Sequence, residues 1–268
     1  MEKSTVIGLI LGIGAISTGM VLKGASLSAL LNPAAMLIIF AGTAACLLNA
    51  FPLAQLKKFP KLLKMLFKPP QGMDKPAISK MFIELSQIAR REGLLALESK
   101  LTEVEDPFLK NGLSMVIDGM DPDLVADVLA LEIQQMEERH RSGALIFSQA
   151  GTYAPTLGVL GAVVGLVAAL GNLDDIEKLG HSIAAAFIAT LFGIFSGYVL
   201  WHPFANKLKQ ISKEEGERKR MMMEGILSLQ AGDNPVTVEA KMRVFIPQDE
   251  REKVKPNEVS ADVAQEAS

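Results

Sequence analysis

Two threonines, Thr156 and Thr190, and one proline, Pro155, are the residues of this chain best placed to do chemistry, because each stands in a long apolar run with few other polar atoms. A proline inside a helix has no N–H to give, so it frees a carbonyl of the preceding turn. With the two hydroxyl oxygens, that carbonyl can furnish weak ligands along a path for a small cation. The same hydroxyls can instead bond back to their own preceding turns, and their spacing leaves both readings open. A conduction path normally also needs an ionisable group at depth. No Asp, Glu, Lys, Arg or His stands in any of the apolar runs, Val6 to Leu22, Pro33 to Leu53, Ala154 to Leu170 and Ile183 to Trp201. Either the chain conducts nothing, or a partner chain brings the carboxylate.

Soluble-enzyme chemistry has little to work with. The sequence holds no glycine-rich nucleotide loop and no clustered Cys/His ligand spacing, and its three histidines, His140, His181 and His202, are scattered. No catalytic residue, metal site or cofactor is expected, the chain is not read as an enzyme, and no nucleic acid is expected among its partners. The single cysteine, Cys46, can form no intramolecular disulfide.

The elements that must position these residues are membrane helices. Each apolar run is about 17 to 21 residues, near what is needed to cross roughly 30 Å of hydrocarbon. The first follows only Met1, Glu2 and Lys3, with no A-x-A-like site after it, and is read as a retained span. Lys57, Lys58, Lys61, Lys64 and Lys68 follow the second run with no acid among them, and Lys207, Lys209, Lys213, Arg218, Lys219 and Arg220 follow the fourth. The short connectors hold only Lys23, and Lys178 among Asp174, Asp175 and Glu177. The positive-inside bias therefore expects a multi-pass chain in the cytoplasmic (inner) membrane, with both termini and the long central segment in the cytoplasm.

The expected fold is an all-α integral membrane protein with four transmembrane helices and a helical cytoplasmic domain between spans 2 and 3. Spans 1 and 2 occupy residues 1–53, the cytoplasmic domain 54–150, spans 3 and 4 residues 151–204, a further cytoplasmic helical segment 205–247, and a charged tail 248–268. The central domain reads as helical because Ile78, Met81, Phe82, Leu85 and Ile88 recur at helical spacing, as do Leu124, Val128, Leu131 and Met136. Pro69-Pro70 and the stretch from Asp118 to Asp123, with Gly119 and Pro122, mark breaks between helices. No stop signal separates the helix starting at Pro122 from span 3, or span 4 from the charged residues beyond Pro203, so both spans are expected to extend into the cytoplasm. The tail has no aromatic residue and no period, and is expected to be disordered.

Glycines punctuate the third and fourth spans. Gly158, Gly161 and Gly165 fall at spacings of three and four, and Gly193 and Gly197 repeat the spacing, so each set lies on one helix face that admits close approach of another helix. Spacing alone does not separate packing within one chain from packing between subunits.

Several stretches together resemble the MotA family of flagellar stator subunits, within the wider group that includes TolQ and ExbB. They are ARREGLLALE at 89–98, AGTYAPTLGVLGAVVGL at 150–166 and GYVLWHPFANKL at 197–208, on four apolar runs in the family's order. The resemblance covers essentially everything before the charged tail. It implies that the missing carboxylate is an aspartate in the single membrane helix of a MotB-like partner, with five copies of this chain around two partner chains. It further implies that Pro155 and Pro203 are the family's two functional prolines, that Thr190 lies close to the partner's aspartate, and that Arg90 and Glu98 engage charged residues of the rotor protein FliG.

If one helix carries both charges, eight residues at 100° leave Arg90 and Glu98 about 80° apart and roughly 12 Å along its axis, a broad face suited to a dipolar partner. Sodium-using relatives tend to carry threonine where this chain has Ala162, so the resemblance implies protons rather than sodium as the transported ion. The rival readings are a TolQ/ExbB-like energiser of envelope proteins, which generally has three spans, and a non-conducting membrane scaffold. Reversing both charges, Arg90→Glu with Glu98→Lys, is expected to cripple swimming while the protein level in membranes stays normal; normal swimming of that double variant excludes a rotor contact at these positions.

Overall fold

The computed structural model describes residues 3–68 and 72–251, and among them every regular element is helical. In chain order these are α1 (Lys3–Leu22), α2 (residues 33–50), α3 (Leu53–Leu56), α4 (Phe59–Met65), α5 (Lys75–Glu92), α6 (Glu98–Leu101), α7 (Pro107–Ile117), α8 (Pro122–Leu170), α9 (Ile176–Gln230), α10 (Pro235–Arg243) and α11 (Gln248–Arg251). Helices α1, α8, α9 and the segment Leu27–Ala50 are long and apolar enough to cross a membrane. The expectation of four spans in an all-α chain is met.

Helix starts follow one local rule. Asn32, Asp74, Asp106 and Asn234 each place a side-chain oxygen on a free N–H of the first turn, and proline follows directly or one residue later. Asp121 does the same ahead of Pro122. The cap satisfies a donor the helix cannot, and proline lacks the N–H that would be wasted there.

The described chain divides into two compact units, Met1–Pro70 with Arg139–Ile211 and Gln71–Glu138 with Ser212–Ser268. In the first, α4 and the turn after it present Phe59, Leu62, Leu63, Leu66 and Phe67 to Ala144, Phe147, Phe204, Ala205 and Leu208. Phe59 stacks on Phe147 with centroids 4.7 Å apart, and Phe147, Trp201 and Phe204 meet at 6.3 to 6.5 Å. At such separations aromatic pairs contribute beyond their buried area. Lys207 ties α1 into the unit, donating from Nζ to Thr5 Oγ1 at 2.5 Å.

The second unit has a soluble-protein core. Ile78, Phe82 and Leu85 of α5, Phe108, Leu109 and Leu113 of α7, Val125, Leu129 and Ile133 of α8, Met221 and Ile226 of α9, and Val238 and Met242 of α10 are buried together. The face of α8 that is buried differs from the one its periodicity pointed to. Leu124 and Leu131 are 51% and 56% exposed, and the core takes Val125, Leu129 and Ile133 one register over, with Met136. Both stripes have helical spacing in the sequence, so only the partners of the helix decide between them.

Two further expectations change. Gln248–Arg251 forms a helical turn where disorder was expected, while the rest of the tail, and the Pro69-Pro70 break, lie outside the described residues. Span 2 ends at Ala50, because Phe51 is extended ahead of Pro52. Within 205–247, α9 runs to Gln230, Gly232 at φ 75° turns the chain, and α10 follows.

Lys75 donates to Glu217 at 2.7 Å, and this hydrogen bond holds the Glu217 carboxyl below its ordinary value of 4.5. A carboxylate with a depressed pKa contributes stability that is present above the ordinary value and is lost as pH falls through the folded one. Lys75→Met is therefore expected to lower stability at pH 7 by at most about 1 kcal/mol, given the pair's partial exposure, with the difference fading at pH below the carboxylate range. Thermal melts of both proteins across that range check this, and a difference that persists in acid counts against the pair.

Candidate functional site

Helices α8 and α9 touch through their glycines. A Cβ built on Gly158 would lie 3.0 Å from Ala189 O and from Gly193 Cα, and one on Gly193 would lie 2.7 Å from Ala154 O and Gly158 Cα. Further along, Gly161 faces Ala189 and Gly165 faces Ala186 in the same way, at 2.9 and 2.8 Å. The glycine stripes pack α8 against α9 within one chain, which decides the alternative that spacing left open. Backbone-to-backbone approach of this kind is how helices gain contact in a medium that offers no hydrophobic drive between them.

At one end of this seam Pro155 meets a helix defect that leads into Pro203. Pro155 cannot donate to Gly151 O, and its ring lies where Gly197 has no side chain: a Cβ there would be 2.7 Å from Pro155 Cγ and 2.9 Å from Gly151 O. Gly151 in turn is bare because the His202 ring covers it, 2.8 Å from a would-be Cβ. Over Ser196–Trp201 the helix widens to a π turn, with His202 N–H bonded five residues back to Gly197 O. Pro203 follows immediately. Its ring would clash with the carbonyl four residues earlier and it has no N–H, and the widened turn ahead of it absorbs the extra length. Helix α9 thus continues through Pro203.

Neither threonine hydroxyl is left open. Thr156 donates to Thr152 O at 3.3 Å and Thr190 to Ala186 O at 3.4 Å. Thr156 is exposed, and by helical geometry it points roughly 160° away from Gly158, on the opposite side of α8 from α9. Thr190 and Ala162 are half-buried beside the seam. Within one chain Thr156 and Thr190 therefore stand on different faces of the pair. The outer face of α8 continues from Thr156 through Val159, Val163 and Val167, the last 64% exposed.

The structure corrects the single-helix geometry of Arg90 and Glu98. Helix α5 stops at Glu92, because Gly93 takes φ 84° and donates its N–H to Ala89 O. A 3-10 turn over Leu94–Leu97 follows, and Glu98 opens the separate α6. Both side chains are exposed, and neither pairs with a described residue. They flank a glycine-set corner. The signal was present in the sequence: Arg90 and Arg91 in the last turn followed by glycine is a helix-stop pattern.

Residues 100–223 match the MotA/TolQ/ExbB proton channel family, and residues 6–93 match the motility protein A N-terminal family. The chain is 54% identical to motility protein A of Bacillus subtilis over 251 residues, 94% of this chain and 93% of that one. It belongs to the MotA/TolQ/ExbB proton channel family. Its fold is similar to a chain of the flagellar MotAB stator complex from Bacillus subtilis, with TM-score 0.91 and 53% identity over 95% of this chain and all (100%) of that one. A chain of C. jejuni MotAB gives TM-score 0.88 at 34% identity, covering 93% and 97% of the two chains. By sequence and fold it is a flagellar stator subunit of the MotA type, and the N-terminal match sets it on the motility branch of the family.

Within this family member, sequence reasoning passed over Gly151, His202 and the π turn, which complete the proline joint. It also passed over Thr43, whose hydroxyl in α2 is buried without a hydrogen-bond partner among the described residues. No local pattern marks these, since each acquires its neighbours only through packing. Gly193→Leu must displace the backbone of α8, an overpacking cost of about 1 to 3 kcal/mol or more. That variant is expected to lose membrane abundance and swarming, whereas Gly8→Leu, with nothing within 4 Å, is expected to keep both. Equal behaviour of the two variants contradicts the seam.

Proposed function

We propose that five copies of this stator subunit surround two MotB-like chains in the cytoplasmic membrane, with their termini inside, and couple proton flow to rotation of a rotor bearing FliG. The observation that carries this reading is the pairing of α8 and α9 by backbone contact, with no Asp, Glu, Lys, Arg or His in either apolar window and an uncovered face of α8 bearing Thr156. Such a pair has nothing of its own to carry a proton and a free surface on which a partner helix can. The similar solved structures are MotAB complexes, which supports a MotB-like chain as that partner.

In this mechanism the partner's aspartate takes up a proton from the outside and becomes neutral, which allows it to lie against the apolar outer face of α8. Loss of the proton to the inside restores a charge that this face cannot accommodate, because burying an unpaired carboxylate in hydrocarbon costs several kcal/mol, on the order of what buried ions lose in hydration. The surrounding helices must then change their packing. The joint of Pro155, Gly151, Gly197 and Pro203 is where that change is absorbed: one carbonyl there is freed by proline and one turn is already widened, so the backbone can shift without breaking further hydrogen bonds. Thr156 is the hydroxyl on that face, while Thr190, which the family resemblance sets close to the partner's aspartate, lies half-buried beside the seam. Arg90 and Glu98, exposed on the two sides of the Gly93 corner, offer separated opposite charges to the rotor. The subunit performs no covalent catalysis of its own.

Ala162 places a methyl group where a hydroxyl would help replace sodium's water, which supports the proton as the ion. In cells whose only stator contains this chain and its cognate partner, swimming speed at fixed pH is expected to be insensitive to external sodium. Speed that rises in proportion to sodium overturns the assignment.

A further inference from the structure

The lysines that follow span 2 do more than set its orientation. Lys57, Lys61, Lys64 and Lys68 fall at intervals of four, three and four residues; Lys61 and Lys64 lie about 60° apart on α4, and Lys57 and Lys68 stand in the turns at its two ends. All are exposed, as is Lys58, and none pairs with a described residue. The opposite face of α4 and of the turn after it is fixed in place by Phe59 stacked on Phe147 and by Leu66, Leu62 and Phe67 packed on Phe204 and its neighbours. The cluster is therefore held outward by the core behind it, and it follows directly on a membrane span.

What faces such a cluster must be anionic. A second copy of this region cannot supply the charge, because residues 53–68, 139–150 and 202–211, which form this part of the unit, contain no Asp or Glu. Clusters of four to eight basic residues just inside a membrane helix attract the negative headgroups of the leaflet, each contributing independently near the surface. We propose that the Lys57, Lys61, Lys64 and Lys68 cluster on α4 and its flanking turns is a binding surface for anionic phospholipid headgroups, a fixed lipid contact separate from the ion path. Its ammonium groups meet headgroup phosphates, while the aromatic cluster of Phe59, Phe147 and Trp201 keeps the helix at the level of the interface.

The full chain is purified in mild detergent, relipidated with vesicles of phosphatidylcholine containing increasing phosphatidylglycerol, and the retained lipid is extracted and quantified alongside the melting temperature. The wild type is expected to enrich phosphatidylglycerol over phosphatidylcholine by about tenfold or more and to melt higher as its fraction rises. Replacing the four lysines with glutamine is expected to abolish both effects, replacing them with arginine to keep both, and Lys23→Gln, on the other side of the membrane, to leave both unchanged. The arginine variant separates a lost charge from a lost fold. Equal retention of the two lipids by the wild type, or undiminished enrichment in the glutamine variant, overturns the proposal. So does stabilisation by soluble polyphosphate with no phosphatidylglycerol enrichment, which would assign the cluster to a soluble anion instead.

Discussion

The contact between Gly158 of α8 and Gly193 of α9 is the constraint on which the membrane part of this protein depends. Water drives apolar side chains together in a soluble core, but lipid is as apolar as leucine and gives helices no such reason to associate. What remains is dispersion between closely fitted surfaces, and that falls away within a gap of an ångström. The chain meets this condition by removing side chains along the seam until backbone touches backbone at 2.7 to 3.0 Å from any would-be Cβ. Everything larger is relegated to the outer faces, where Val159, Val163, Val167 and Phe187 are exposed.

That arrangement also explains how a rigid seam and a yielding joint occupy the same two helices. Along Gly158, Gly161 and Gly165 the backbones are locked by contact. At Pro155 and Pro203 the regular hydrogen-bond ladder is already interrupted, and the π turn over Ser196–Trp201 has taken up the slack. Ser196, 1% exposed, donates to Phe192 O at 2.7 Å and helps hold the widened turn. Kinks and π turns are the recognised places where a helix changes course without new unsatisfied groups. The joint sits next to the aromatic cluster of Trp201 and Phe204, so a change in packing between the spans is felt at once by side chains beyond the apolar window.

The second unit obeys ordinary aqueous rules. Its buried face of Ile78, Phe82, Leu113, Leu129, Met221 and Ile226 excludes water, and its ion pairs lie at the rim. Lys241 is held between Glu224 at 3.1 Å and Asp233 at 2.9 Å, and its pKa is raised by those hydrogen bonds, first by Asp233. A firm core under the Gly93 corner gives the exposed Arg90 and Glu98 a fixed base, so their separation is set by the backbone instead of by two long side chains.

The number of spans, their order, the helical character of the central domain and the absence of any Asp, Glu, Lys, Arg or His at depth were all determined by the sequence, because hydropathy and charge are properties of local runs and need no partner to be read. Helix starts were equally local: an Asp or Asn followed by proline is its own signal. Which stripe of α8 is buried, Val125 with Leu129 or Leu124 with Val128, was decided only by the tertiary structure, since two stripes of equal periodicity compete and the winner is the one that finds neighbours. The same holds for the glycine seam, whose spacing fitted a contact inside the chain or between chains, and for Arg90 and Glu98, which one residue in a left-handed conformation moved from a shared helix onto two sides of a corner. Local chemistry fixes what each segment can be; the choice among equally good faces belongs to packing, which is a relation between segments far apart in the chain.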